Sequence, residues 1–200
     1  MTDEMDGKDL AERVRLIESM MTEGRRACES WGWTFVLWGV AYYVAIVWAT
    51  WARFGLAWPI TMIAAGVLTG VLSVRVRGNN PATTMGRAIS AIWCAFGISM
   101  FVLLDAMGFC ARHVDSNIMI AVASTLIGAA NAASSLTLKW KAQFACAVAW
   151  WAAAVVACFG TDAQGSIAFL AAIFLCQIVF GIYCMSREAQ VRKRRGAVHA

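Results

Sequence analysis

The stretch Trp33-Thr34-Phe35-Val36-Leu37-Trp38-Gly39-Val40-Ala41-Tyr42-Tyr43-Val44-Ala45-Ile46-Val47-Trp48-Ala49-Thr50-Trp51 carries no charged residue. A helix of this length crosses the hydrocarbon core of a bilayer, which takes about 20 residues at 1.5 Å each. Inside that core every backbone N–H and C=O needs a partner within the segment, and a helix provides it. The run begins beyond residue 30, behind an acidic segment, so it lacks the form of a cleaved signal peptide.

Working outward, five further stretches have the same character. They run from Trp58 to Val74, Ala88 to Cys110, Asn117 to Leu138, Ala142 to Gly160 and Ser166 to Met185. The expected fold class is therefore all-α: a polytopic membrane protein with six transmembrane helices in three hairpins. The composition agrees. Apolar residues make up 60% and charged residues 14%, against about 45–50% and 25% in soluble domains. Three segments are expected: residues 1–30 as a cytoplasmic amphipathic helix, 31–186 as the transmembrane domain, and 187–200 as a basic tail.

Lysine and arginine set the orientation. With the N-terminus inside, the inner segments hold fifteen of these residues and the outer loops only Arg53 and Arg112. Both termini are thus expected in the cytoplasm. Every connection is short. The longest, cytoplasmic one carries the turn signal Gly78-Asn79-Asn80-Pro81. No extramembrane domain fits between the spans, so function is expected in the bundle, on its faces or in its tails.

Ahead of the first span, Asp9 and Glu12 have the spacing of a capping box. Leu10, Val14, Ile17, Met21 and Cys28 then follow a 4-3-4 pattern that Gly24 interrupts, with charge on the other face. This amphipathic helix reads either as an interfacial element on the inner leaflet or as a contact for a second copy or a protein partner. At the other end, Arg192-Lys193-Arg194-Arg195 lies just inside the last span, where anionic headgroups attract basic side chains. Residues 1–30 hold eight acids and five bases, so the positive charge sits in loops and the C-tail. That suits a membrane surface and not a nucleic-acid groove.

Few side chains in the spans carry chemistry. Asp105 is the one acid, about five residues or roughly 7 Å from the outer end. At that depth it reads as an ion pair with Arg53 or Arg112, or as a ligand or proton site. Asn131 and Gln177 are strongly polar and suit interhelical hydrogen bonds. Gly66 and Gly70, with Gly128 and Ala132, are expected to bring the second and fourth spans close together. Trp93, Trp150 and Trp151 lie deep enough to line a pocket, whereas Trp31, Trp33, Trp51, Trp58 and Trp140 flank span ends as an interfacial belt.

Enzyme classes find little support. Both histidines, His113 and His199, lie outside the spans, and none of the seven cysteines forms a CxxC pair. No metal site or cofactor is expected. A serine–histidine pair, paired intramembrane aspartates and a phosphate-cradling Gly-rich loop are all missing from the sequence.

The junction Ile17-Glu18-Ser19-Met20-Met21-Thr22-Glu23-Gly24-Arg25-Arg26, followed by Trp31-Gly32-Trp33 and Trp38-Gly39, resembles a loosely defined group of uncharacterised bacterial membrane proteins. These share a charged N-terminal helix, a Gly–aromatic pair and a Trp–Gly in the first helix. The resemblance implies a bacterial inner-membrane setting and carries over no functional residue. The expected function is a non-enzymatic membrane scaffold that assembles with itself or a partner. Its rival is a small-molecule carrier or sensor with a pocket near Asp105 and the deep tryptophans.

Overall fold

The computed structural model describes residues 2–52, 56–77, 84–110 and 115–198. Helix α1 spans Thr2–Ser30, α2 Gly32–Ala52, α3 Ala57–Arg77, α4 Thr84–Cys110, α5 Ser116–Leu138 and α6 Lys141–Phe159. The last rod comprises α7 (Asp162–Ile173), a π-helical stretch Phe174–Val179, and α8 (Phe180–Val198). Six of these rods are long and apolar enough to cross a membrane, each overlapping one of the stretches read from sequence, and the last runs on to Arg194, nine residues past the expected Met185. The chain is therefore a multi-pass membrane protein. Because α1 already begins at Thr2, Asp9 sits inside the helix and not at its N-cap.

The core lies where α5, α6 and the last rod meet. The α5–α6 pair has the most extensive packing, and α5 has the small side chains that permit it. Ala121, Ala123, Ser124, Gly128, Ala130, Ala132, Ser134 and Ser135 are all buried. A Cβ placed on Gly128 would lie 2.6 Å from ring atoms of Trp151, so α6 comes as close as a glycine allows. Asp115 accepts the Asn117 N–H at 2.8 Å and caps the start of α5. Lys139 ends it in the left-handed region (φ 48°), and Trp140 N–H reaches back to the Ser135 carbonyl at 2.9 Å.

The first span is fixed to the last by glycines. A Cβ on Gly32 would meet Cys184 and the Gly181 carbonyl, one on Gly39 would meet Gln177 and Ile178, and one on Gly181 would meet Val36 and the Gly32 carbonyl. Tyr43 adds a hydrogen bond from its hydroxyl to the Leu170 carbonyl at 2.9 Å. Aromatic rings fill the space between these helices. Phe35 packs edge-on to Trp93 and Phe180, each at 5.4 Å, and Tyr42 to Phe169 at 6.3 Å.

Helices α3 and α4 are peripheral. Within their apolar windows only 11% of residues are buried, against 56% in α5. Helix α3 rests on α2, and α4 on α5 and α1. This corrects the expected contact of the second and fourth spans: among the described residues no neighbouring helix comes within 4 Å of a Cβ position on Gly66 or Gly70. Gly128 and Ala132 do pack, but Gly128 faces the next helix along the chain. GxxxG spacing marks a helix that can be approached closely, and the neighbour that uses it must come from the tertiary arrangement.

Replacing Gly39 or Gly181 by Leu should therefore cost about 1–3 kcal/mol, the usual range for overpacking. Thermal unfolding in detergent should show this loss, while Gly70→Leu leaves the unfolding temperature where it was.

Candidate functional site

Two features stand out from the packing: the foot of α1 and a line of buried polar side chains along α5 and α6. The foot comes first because α1 meets α4, α5 and α8 there. As the chain runs back from Gly39 through Gly32 to Glu29, its contacts on the last rod advance from Gln177 through Cys184 to Arg187. Ten residues on one helix match ten on the other, so α1 continues α2 alongside α8. Glu29 is buried and meets Arg187 Nε at 3.7 Å. Arg25 donates from Nη2 to the Leu138 and Lys139 carbonyls, both at 3.0 Å. These are terminal carbonyls of α5, which lack partners within the helix and favour a positive charge. Gly24 lets α1 approach Leu138, where a Cβ would fall 2.8 Å from the Leu138 methyl, and Met85 at the start of α4. The glycine that interrupts the apolar pattern in sequence is thus a contact point.

Beyond this foot α1 leaves the bundle. Leu10 and every described residue from Glu12 to Ser19 are exposed. Leu10, Val14 and Ile17 present 65%, 48% and 55% of their surface to the outside. They share a face with Met21, Gly24 and Cys28 at 4-3-4-3-4 spacing. One stripe is therefore buried at its base and bare over the rest of its length.

The second feature follows α5. Asn117, Ser124 and Asn131 recur every seven residues on one face, and each holds a buried oxygen with no hydrogen-bond partner among the described residues. Ser134, Gln143 and the Trp150 indole N–H extend the line. Gln143 is fully buried with both amide atoms unpaired. Asn131 donates to its own helix at the Ile127 carbonyl, 3.0 Å away, leaving Oδ1 unused. Asn117 also joins α5 to α7, donating to Asp162 Oδ1 at 2.9 Å.

The expected ligand residues are not gathered into one pocket. Trp93 packs edge-on to Phe35 and Phe96, Trp150 packs on Phe169 at 5.8 Å, and Trp151 lies partly exposed against Gly128. Gln177 is buried in the π-helical stretch, its stem against Gly39. Arg53, Arg112 and the side chains of Asp105 and Arg195 lie outside the described residues. Arg192 pairs with Glu188 at 3.3 Å, while Lys193 and Arg194 are exposed. Cys176 Sγ approaches the Cys146 carbonyl at 3.7 Å. Among the described residues no three His, Cys, Asp or Glu side chains are grouped to hold a metal ion.

Sequence reasoning missed Arg25, Glu29, Ser124 and Gln143. A signal existed for some of them. The seven-residue recurrence of Asn117, Ser124 and Asn131 is readable, and so is Thr161-x-x-Gln164, which caps α7 with reciprocal hydrogen bonds. The partners of Arg25 and Glu29 are more than 100 residues away in sequence, and nothing local points to them. No protein-family model, curated protein or solved structure matches the chain.

Cys28 reports on the foot. Burial, and secondarily the Glu29 charge, push its thiol up from 9.0 to about 12. Its contribution to stability is then complete below pH 9 and declines as the pH rises from 9 towards 12, where the unfolded chain ionises and the folded one does not. Alkaline denaturation should begin above pH 9 and be shallower in Cys28→Ala. Maleimide should modify Cys28 only after unfolding. Arg25→Ala, which strips two carbonyls of a charged donor, should cost about 1.5–3 kcal/mol in chemical unfolding.

Proposed function

We propose that this chain is a non-enzymatic membrane scaffold, assembling with itself or a protein partner through the free length of α1. The observation that carries this reading is the split apolar stripe. Its base, Gly24 and Cys28, is packed against the bundle; its continuation, Leu10, Val14 and Ile17, is exposed on a helix that stands clear of it. Covering a Leu, Ile or Val side chain is worth about 1.5–3 kcal/mol, and the charged opposite face gives a partner direction. The foot supports the same reading, since Arg25 and Glu29 hold α1 at a fixed angle to the spans and so spare a partner part of the ordering cost.

In this proposal both termini are cytoplasmic, on the strength of the lysine and arginine asymmetry, and the setting is a bacterial inner membrane, on the resemblance of residues 17–39. The exposed Lys193 and Arg194 supply attraction to anionic headgroups, roughly 1 kcal/mol per basic residue near the surface. The carrier or sensor reading centred on Asp105 finds no support in the described residues, because Trp93, Trp150 and Trp151 sit in separate contacts.

Truncation must respect the foot. Removing residues 1–20 should leave the bundle folded and reduce the assembled mass of the protein in lipid particles; removing 1–29 should unfold it, since Arg25 and Glu29 go too. Val14→Glu with Ile17→Glu should reproduce the first result in the full-length chain. An unchanged mass in both, with unchanged partners in cross-linking of native membranes, would overturn the proposal.

A further inference from the structure

The surroundings of the foot specify what would cover the free stripe of α1. Helix α1 is unbroken from Thr2 to Ser30, so Leu10, Val14 and Ile17 lie on the face that Gly24 and Cys28 turn to the bundle. The stripe therefore overlooks the end of its own bundle. Leu10 stands fourteen residues above Gly24, about 21 Å at 1.5 Å per residue, whereas a headgroup layer is only roughly 5–8 Å deep. Lipid that reaches the foot does not reach the top of the stripe.

The floor below the stripe is cationic. Gly24 touches Met85 and Leu138, and Arg87, Lys139 and Lys141 lie within three residues of those contacts. All three are exposed. Arg25 beside them gives Nη2 to carbonyls, and its buried Nε has no hydrogen-bond partner among the described residues. None of these four cations has an ion pair among the described residues, and Glu29 is engaged by Arg187. Basic residues at this end also orient the chain in a membrane. That role asks for their number and not for a place under an apolar stripe.

An apolar wall above a cationic floor fits an amphipathic helix whose carboxylates meet the floor. Glu12 and Glu23 lie on the opposite side of α1, so an acidic partner is repelled from its back and drawn to its front. A second copy of α1 is acidic and amphipathic too, but it is rooted in its own bundle. Its stripe faces that bundle in the same way, so two copies side by side in one membrane do not bring their stripes together. Resting on the scaffold reading above, we propose that the stripe and the cations at its foot form one docking surface for an acidic amphipathic helix of a soluble protein. The helix packs its apolar face on Leu10, Val14 and Ile17, and its carboxylates pair with Arg87, Lys139 and Lys141.

The test titrates full-length protein in phosphatidylcholine nanodiscs, which carry no net charge, with a fluorescent helical peptide of leucine, alanine and glutamate. One control peptide has lysine in place of glutamate; another has the acidic composition in an order with no apolar face. Anisotropy should show the acidic amphipathic peptide binding roughly tenfold tighter than either control, and less tightly as salt rises. Val14→Glu with Ile17→Glu should lower the affinity by roughly tenfold or more. Lys139→Glu with Lys141→Glu should do the same and favour the lysine peptide instead. Circular dichroism and thermal unfolding establish that each variant is folded. If the lysine pair fails to fold, Arg87→Glu with Lys141→Glu carries the comparison. Equal binding of the acidic and lysine peptides, or an affinity unmoved in the charge variants, would overturn the proposal and leave a purely apolar stripe to serve the scaffold. No binding beyond that of empty nanodiscs would overturn it too. Self-association of the purified protein that excludes the peptide and is lost in Val14→Glu with Ile17→Glu would place a second copy on the stripe and overturn it likewise. The scaffold reading fails by a separate outcome, the unchanged mass and unchanged partners described above.

Discussion

The close approach of α2 to the last rod organises this molecule. Gly32 and Gly39 on one side and Gly181 on the other let two backbones meet with almost no side chain between them. In lipid, apolar side chains gain nothing by leaving the solvent, so contact of this kind, with many atoms at van der Waals distance, supplies much of what holds helices together. It also sets direction. Because α1 continues α2 past the end of the spans, the glycine contact decides where α1 emerges and which of its faces meets the bundle. The Glu29–Arg187 pair and the Arg25 cap then lock a geometry already given by the glycines.

A second constraint acts on α5. To pack against α4, α6 and α7 at once, a helix must be thin, and apart from Ile127 and Leu138 its buried residues are accordingly alanines, serines, a glycine and one asparagine. Serine is small enough to serve this purpose and brings a hydroxyl that can turn back to its own helix, as Ser135 does to the Ala132 carbonyl at 2.8 Å. Asn131 turns back only in part, and Gln143 does not. Two different demands, thinness and polarity, thus fall on the same face. Packing accounts for the alanines and the glycine fully and for the serines partly. It gives no reason for an asparagine or for a fully buried glutamine.

Function reads differently at the two ends of this gradient. The bundle interior is built from aromatic and small side chains that satisfy one another, interrupted by a neutral polar line. The free part of α1 is the reverse, a charged surface with an uncovered apolar stripe. Peripheral α3 and α4 lie between these extremes, apolar on nearly all sides, as lipid permits.

Much of this was written in the chain itself. Hydrocarbon demands helices of a set length, so six apolar runs of about 20 residues, with Asp105 their one charged side chain, sufficed to establish six spans, and the 4-3-4 spacing of Leu10, Val14, Ile17 and Met21 sufficed for the amphipathic character of α1. Such features follow from local composition and need no partner to be known. Which small residues form contacts is another matter. Gly66 and Gly70 have the more conspicuous spacing yet face outward, while Gly32, Gly39 and Gly181, distant in sequence, meet. The same holds for Arg25, whose carbonyl partners lie 113 and 114 residues away, and for the line from Asn117 to Gln143, whose burial depends on three other helices. A helix fixes which residues share a face; only the packing of all the helices decides which faces are covered, because in lipid no difference in hydrophobicity makes that choice in advance.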